Sequence, residues 1–326
     1  MQAFVGIDVS KDKLDCLWLR DPELLKVKTK VLKNTPSGIE SLAHWLVKTT
    51  QQPAENIIVV MEATGIYHEN LAYRLYEQDF SVVVANPAQI KSYAKSLGST
   101  HKTDKCDSLV IARYGKSHNP MLWKPEPPEI RELKALIARL EAIEKDYQRE
   151  YNRREKAEIT TVSEIVMSSI EQTMEYLKQE KARLESQIDD HIDRHPHLKK
   201  DRELLQTIPA VGSTLSRLML CVIRSRRFKT AAQLAAYLGL IPKLVESGVF
   251  KGRSSLTKSG PASVRAKLYM AAVCAGQHNP DIARQKKRLL ANGKNKMQAL
   301  GAAMRKLVQI CFGVLKNQKE YMPQVC

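Results

Sequence analysis

The sequence predicts an α/β domain followed by an all-α region, and three observations lead there. In the N-terminal third, short apolar runs of strand length alternate with stretches of helical periodicity. Four prolines then fall within residues 119–128, marking a boundary. Beyond them only helical periodicities recur, and the charge balance shifts. The expected division is residues 1–118 as the α/β domain, 119–128 as a Pro-rich linker, 129–196 as a helical hairpin and 197–326 as a basic helical domain.

Residues 3–9 read as a buried strand with Asp8 near its end. A turn at Ser10–Lys13 leads to a second strand through Leu14–Leu19, an alternation that suits a hairpin, and a third strand is expected around Leu25–Leu32. Pro36-Ser37-Gly38 breaks the chain before Ile39, Leu42, Ala43, Leu46 and Val47 repeat at helical spacing. Residues 57–61 are continuously apolar, as in a central strand covered on both faces, and end in Glu62. A helix over Tyr67–Gln78, a strand over Ser81–Ala85 and a helix after Pro87 complete the pattern. Asp104 and Asp107 then open another helix, where three-residue spacing puts both carboxylates on one face. An acidic pair in a first turn is also ordinary helix-dipole chemistry.

Past the prolines, Leu133, Leu136, Leu140, Ile143 and Tyr147 step by three and four, as do Ile170, Met174, Leu177, Lys181, Leu184 and Ile188. These narrow seams predict an antiparallel coiled-coil hairpin closed by Pro196; two helices packed on a globular domain is the other reading. Leu204 to Gly212, followed by a helix over Ser213–Val222, has the pattern of a helix-hairpin-helix, in which Gly212 and the following N–H groups approach a DNA phosphate; an ordinary helical turn competes.

The net charge is +17, and all of that excess lies in residues 201–326. Such a concentration points to a polyanion, and nucleic acid leads because no apolar run approaches a membrane span. No signal-peptide pattern opens the chain, so a cytoplasmic protein is expected. Six scattered cysteines without a Cys-x-x-Cys pair argue against structural zinc and a disulfide framework. Candidate phosphate contacts are Gly212, Arg224, Arg226, Arg227, Lys243, Lys251, Arg253, Lys258 and Arg265.

Asp8, Glu62, Asp104 and Asp107 together are more informative than any of them alone. Strand ends and a helix laid across them can gather four acids, which cannot all stay ionised at close range without metal. Two Mg²⁺ ions bridging a phosphate are the natural occupant.

Gly6-Ile7-Asp8-Val9-Ser10-Lys11, Glu62-Ala63-Thr64-Gly65 and Asp104-Lys105-Cys106-Asp107 resemble the RuvC-like, RNase H-fold domain of the DEDD transposases of insertion-sequence family one-hundred-ten, relatives of the pilin gene invertase. Phe228, residues 233–240, Pro242, Ser247-Gly248, Lys258-Ser259-Gly260, Arg265 and Ala271-Ala272 are similar to that family's C-terminal transposase domain. The resemblance implies a bacterial recombinase working at the nucleoid, with Asp8, Glu62, Asp104 and Asp107 as Mg²⁺ ligands. It further implies that Ser247 becomes covalently joined to DNA, and that a structured bridge RNA pairs with donor and target DNA. A tetramer built as a pair of dimers, with composite sites shared between subunits, is implied as well. Glu246 stands where relatives often carry a second serine, and Pro261 follows Lys258-Ser259-Gly260 where Asn or Asp is frequent.

Two other functions fit parts of the sequence. A metal-dependent nuclease or junction resolvase would use the acids to activate water and leave Ser247 structural. A non-catalytic nucleic-acid-binding scaffold would explain the basic third but not the placed carboxylates.

Overall fold

The computed structural model describes residues 2–21, 23–63, 65–98, 104–160, 162–243, 246–247, 250–251 and 255–324, with Asp104, Lys105, Glu246, Ser247, Phe250 and Lys251 described by backbone alone. The chain forms two compact units, Met1–Pro125 and Glu126–Cys326.

The first unit is built on a five-stranded mixed sheet of β1 (Ala3–Val9), β2 (Lys13–Asp21), β3 (Lys26–Lys33), β4 (Ile57–Glu62) and β5 (Ser81–Ala85), in the order β3-β2-β1-β4-β5. The first three strands pair antiparallel, and β4 and β5 run parallel to β1. The sheet separates two apolar layers because successive side chains point to opposite faces. Val5, Ile7 and Val9 pack with Leu14, Cys16, Val59 and Met61 under α1 (Pro36–Thr50) and α2 (Glu69–Glu77). The other face packs Ile58, Val60, Val83 and Ala85 against α3 (Pro87–Ser96) and α4 (Asp104–His118).

Local sequence explains the helix starts. Thr35 and Asn86 cap α1 and α3 through their side chains, each with proline just inside the helix. Val47, expected on the apolar stripe of α1, is instead exposed, because Ile39, Leu42, Ala43 and Leu46 already fill the buried face.

The Pro-rich stretch is not a free tether. The Trp123 N–H donates to the Val82 carbonyl at 2.7 Å, and its ring meets Tyr73 and Tyr76 edge-on, so this segment belongs to the first unit.

The second unit is helical. Its long helices α5 (Pro128–Thr160) and α6 (Glu164–Asp193) run antiparallel: His191 bonds the Glu129 carbonyl at 2.8 Å, while Lys181 pairs with Glu144 at 3.3 Å. Lys181 therefore sits on the seam as an ion-pair partner, and Ile137 joins the buried row beside Leu133 and Leu140. Ile130–Ile143 and Leu177–Ile192 contribute to the same core as α7 (Pro196–Gln206), α8 (Ser213–Ser225), α9 (Ala231–Tyr237), α10 (Ala262–His278), α11 (Pro280–Ala291) and α12 (Lys296–Asn317). The hairpin and the basic helices thus share one hydrophobic core. Two acid-centred clusters, one buried at Asp201 and one half-buried at Asp189, link the helices. Asp201, 1 % exposed, accepts from Arg224 at 2.5 Å and from Gln318 at 2.8 Å. Asp189 accepts from Arg202 and Arg217.

The described residues between 242 and 256 include four two-residue strands: β6 (Pro242–Lys243), β7 (Glu246–Ser247), β8 (Phe250–Lys251) and β9 (Ser255–Leu256). β6 pairs with β9 and β7 with β8, both antiparallel, as two separate two-stranded sheets. Strands this short carry no alternation that periodicity could reveal.

Candidate active site: acids on a sheet face and a serine on a ribbon

In the first unit, Asp8 lies on the α4-facing side of β1, in step with Phe4 and Gly6. The parallel register pairs Ile7 with Met61, so the next residues along each strand are Asp8 and Glu62, both half-buried and both directed toward the α4 side. Helix α4 reaches this end of the sheet because Gly6 lets it. A β-carbon at Gly6 would lie 2.1 Å from the Ser108 carbonyl oxygen and 2.5 Å from the Ala112 nitrogen. Further along, Gly115 would meet Val60 in the same way, at 2.4 Å. The buried Ser108 hydroxyl donates to the Asp15 carbonyl at 2.8 Å, and Asp15 is the β2 residue paired with Asp8. Asp107 directly precedes Ser108 and stands one turn before the buried Ile111. Asp104 is the first residue of α4.

The structure therefore brings Asp8, Glu62 and the start of α4 to one end and one face of the sheet. It also places there an acid that the sequence pattern alone did not single out. Asp15 shares the face of Asp8, and its carboxylate is held by Lys13 at 3.1 Å. Its signal was present in the spacing: Asp15 follows Lys13 by two, so both point the same way on a strand. Among the described residues no three His, Cys, Asp or Glu side chains converge on one point. The donor set is all oxygen, the chemistry that suits a hard cation such as Mg²⁺.

In the second unit, Ser247 pairs with Phe250 across β7 and β8, leaving only Gly248 and Val249 between them, both outside the described residues. The β6–β9 pair is anchored. Leu256 packs on the core beside Gly301, Thr257 N–H donates to the Ile241 carbonyl at 2.9 Å, and Lys258 N–H donates to that of Gly239 at 3.2 Å. Gly260 lies against α9, where a β-carbon would fall 2.1 Å from the Tyr237 carbonyl oxygen. Arg265 donates to the Gly260 carbonyl at 2.6 Å, which ties α10 to this corner.

The basic candidates divide by what they touch. Arg224 is engaged by Asp201, Arg226 lies over the Tyr237 ring at 4.6 Å, and Arg265 holds Gly260. Arg227, Lys243 and Lys258 are exposed, and among the described residues no carboxylate pairs with them. Gly212 is exposed at the N-cap of α8 in an extended conformation, while Ala210 takes the left-handed position of the turn, with φ of 75°. Of Lys251 only the backbone is described, and Arg253 lies outside the described residues.

Among the described residues no helix is long and apolar enough to cross a membrane.

Sequence comparisons identify the chain as a DNA transposase. The DEDD transposase model of the IS110 type matches residues 5–157, and the model described as "Transposase IS116/IS110/IS902 family" matches residues 202–287. The pilin gene-inverting proteins of Moraxella bovis and Moraxella lacunata are each 31% identical over 324 residues, covering 98% of both chains. An uncharacterized 43.6 kDa protein of insertion element IS110 from Streptomyces coelicolor is 26% identical over 163 residues, 50% of this chain and 39% of its own. The chain belongs to the IS110 family of DEDD transposases, enzymes that cut and rejoin DNA. Among solved structures, T. thermophilus RuvC in complex with Holliday junction substrate aligns with 36% of this chain and 96% of its own, at 17% identity and a TM-score of 0.24, too low to bear on fold or substrate.

Proposed function

We propose that this transposase joins itself to DNA through Ser247, with Mg²⁺ held by Asp8, Glu62, Asp104 and Asp107. The observation that carries the proposal is the side-by-side ending of Asp8 and Glu62 on the face crossed by the helix that begins with Asp104 and contains Asp107. Bound there, divalent ions would polarise the scissile phosphate and stabilise the charge of its transition state.

The chain's own groups supply the rest. The Ser247 oxygen attacks phosphorus, a serine–phosphate bond forms, and one phosphorus–oxygen bond to the leaving strand breaks. The serine proton is lost and the leaving oxygen departs as a hydroxyl end. Attack by a hydroxyl of another strand reverses the chemistry and restores Ser247, so strands are rejoined without an external energy source. Arg227, Lys243 and Lys258 supply cations for the phosphate backbone, and the exposed start of α8 at Gly212 offers it free N–H groups.

On this reading the first unit is a RuvC-like RNase H fold and α5–α6 is a coiled-coil arm that joins subunits. The family resemblance supports a tetramer of paired dimers whose composite sites combine the acids of one subunit with the serine of another. It also supports a bridge RNA as guide to donor and target DNA.

Incubating the protein with DNA bearing the element's ends in Mg²⁺, then resolving the products on a denaturing gel, tests the chemistry. A protein–DNA adduct is expected, absent in Ser247→Ala and in Asp8→Ala. Cut strands carrying no protein would instead make the enzyme a hydrolytic nuclease.

A further inference from the structure

The face of the sheet opposite the acids carries a second feature. Between edge strand β3 and helix α1 lies an open cleft of about 870 Å³, lined among others by Lys28, Lys30, His44, Trp45 and Lys48. Lysines on an edge strand ordinarily guard it against pairing with other chains. Here, however, they are arranged. Lys26, Lys28 and Lys30 occupy alternate positions of β3 and point to one face, the face on which Leu32 joins the α1 core. Lys30 Nζ stands 5.8 Å from the centroid of the half-buried Trp45 ring, and Lys48 follows Trp45 on the same helix.

The charge in the cleft is unspent. Its one acid, Glu40, pairs with Arg74 at 3.8 Å, and among the described residues no carboxylate pairs with Lys28, Lys30 or Lys48. Alternate strand positions are about 6.7 Å apart, comparable to the separation of successive phosphates in an extended single strand. Cations at that repeat beside an aromatic ring match the general chemistry of single-strand binding, in which charge tracks the backbone and a ring receives a base.

We propose that the β3–α1 cleft binds a single-stranded polynucleotide, with phosphates on Lys28, Lys30 and Lys48 and a base against Trp45. The choice of polynucleotide over other polyanions rests on the transposase reading; the surface itself is separate from the acids and from Ser247. DNA and RNA present the same phosphate repeat, and the test carries one arm for each.

The full-length protein is titrated in EDTA with labelled 20-nucleotide single strands of DNA and of RNA, across a salt series. Replacing Lys28, Lys30 and Lys48 together by alanine is expected to lower the slope of log K against log salt by about 2, at roughly 0.7 for each phosphate no longer neutralised. Trp45→Phe is expected to keep the slope and lose part of the tryptophan quenching. The comparison protein carries Lys91→Ala, Lys95→Ala and Lys116→Ala, which removes equal charge elsewhere in the unit. Melting curves confirm that each variant is folded, and Lys28→Glu with Lys30→Glu replaces the triple variant if it is not. A selective fall with DNA, with RNA or with both supports the cleft. An unchanged slope in both arms, or an equal fall in the comparison protein, overturns it. Because no metal is present and nothing is cut, this result and the Ser247 adduct can each fail alone.

Discussion

Gly6 and Ser108 are in backbone contact: a β-carbon on Gly6 would stand 2.1 Å from the Ser108 carbonyl oxygen. That contact sets how closely α4 approaches β1, and Asp107 is the residue beside Ser108. Gly6→Ala is expected to lift the helix and destabilise the first unit by about 1–3 kcal/mol, the usual cost of overpacking. Urea denaturation reads the loss. Stability within about 0.3 kcal/mol of the parent would mean that α4 does not rest on this glycine.

Gly260 plays a corresponding part in the second unit. A β-carbon there would fall 2.1 Å from the Tyr237 carbonyl oxygen, a backbone atom that cannot swing aside. Gly260→Ala is expected to shift the Lys258–Gly260 turn and cut adduct formation at least tenfold, while DNA affinity stays within about threefold. Equal losses of both would point to general unfolding of the second unit.

Arg224 is expected to matter for stability more than for DNA. Its guanidinium meets Asp201, which is 1 % exposed, so Arg224→Ala, which leaves that carboxylate buried without its cation, should cost about 3 kcal/mol. Arg224→Ala should lower the melting temperature and leave the salt slope of DNA binding nearly unchanged. A slope reduced by about 1 with unchanged melting would assign Arg224 to a phosphate instead.

Glu144 gives the second unit a dependence on acid. Burial by itself would raise its pKa, but the charges of Lys267 and Lys181 and their hydrogen bonds outweigh burial and hold it below the usual carboxylate range. A depressed folded pKa contributes stability above the unfolded value, near 4.3, and loses it as pH falls through the folded value. Parent and Glu144→Gln should therefore differ in melting temperature at pH 7 and converge below about pH 4. Because the group is partly solvated, the difference at neutral pH should stay near 1 kcal/mol or less. A difference that persists undiminished at pH 3 would contradict the ion-pair origin.

Much of the first unit was legible because strand length, alternation and caps agree locally. Residues 57–61 have the continuous apolar pattern of a central strand, and Pro87 marks a helix start. Asp8 and Glu62 could be placed at strand ends for that reason. Their neighbour Asp15 was not singled out, since facing across an antiparallel pair depends on register, which only the hairpin's turn and packing set. The ribbon around Ser247 was hidden by two-residue strands, and the engagement of Arg224 by a partner 23 residues away. The β3–α1 cleft was hidden too, because alternating lysines on a strand look like any solvated face until a helix covers them. Trp123 in a proline cluster read as linker, although its ring and N–H fasten that cluster to the first unit.

The central claim, that Ser247 is the atom donor that joins protein to DNA, is tested most directly by mapping the adduct. The trapped protein–DNA species is digested with protease and nuclease and its modified peptide identified by mass spectrometry. The account predicts a residual nucleotide phosphate on Ser247 and none on Ser254 or Ser255. A phosphate on either of those serines, or on a tyrosine, would contradict it.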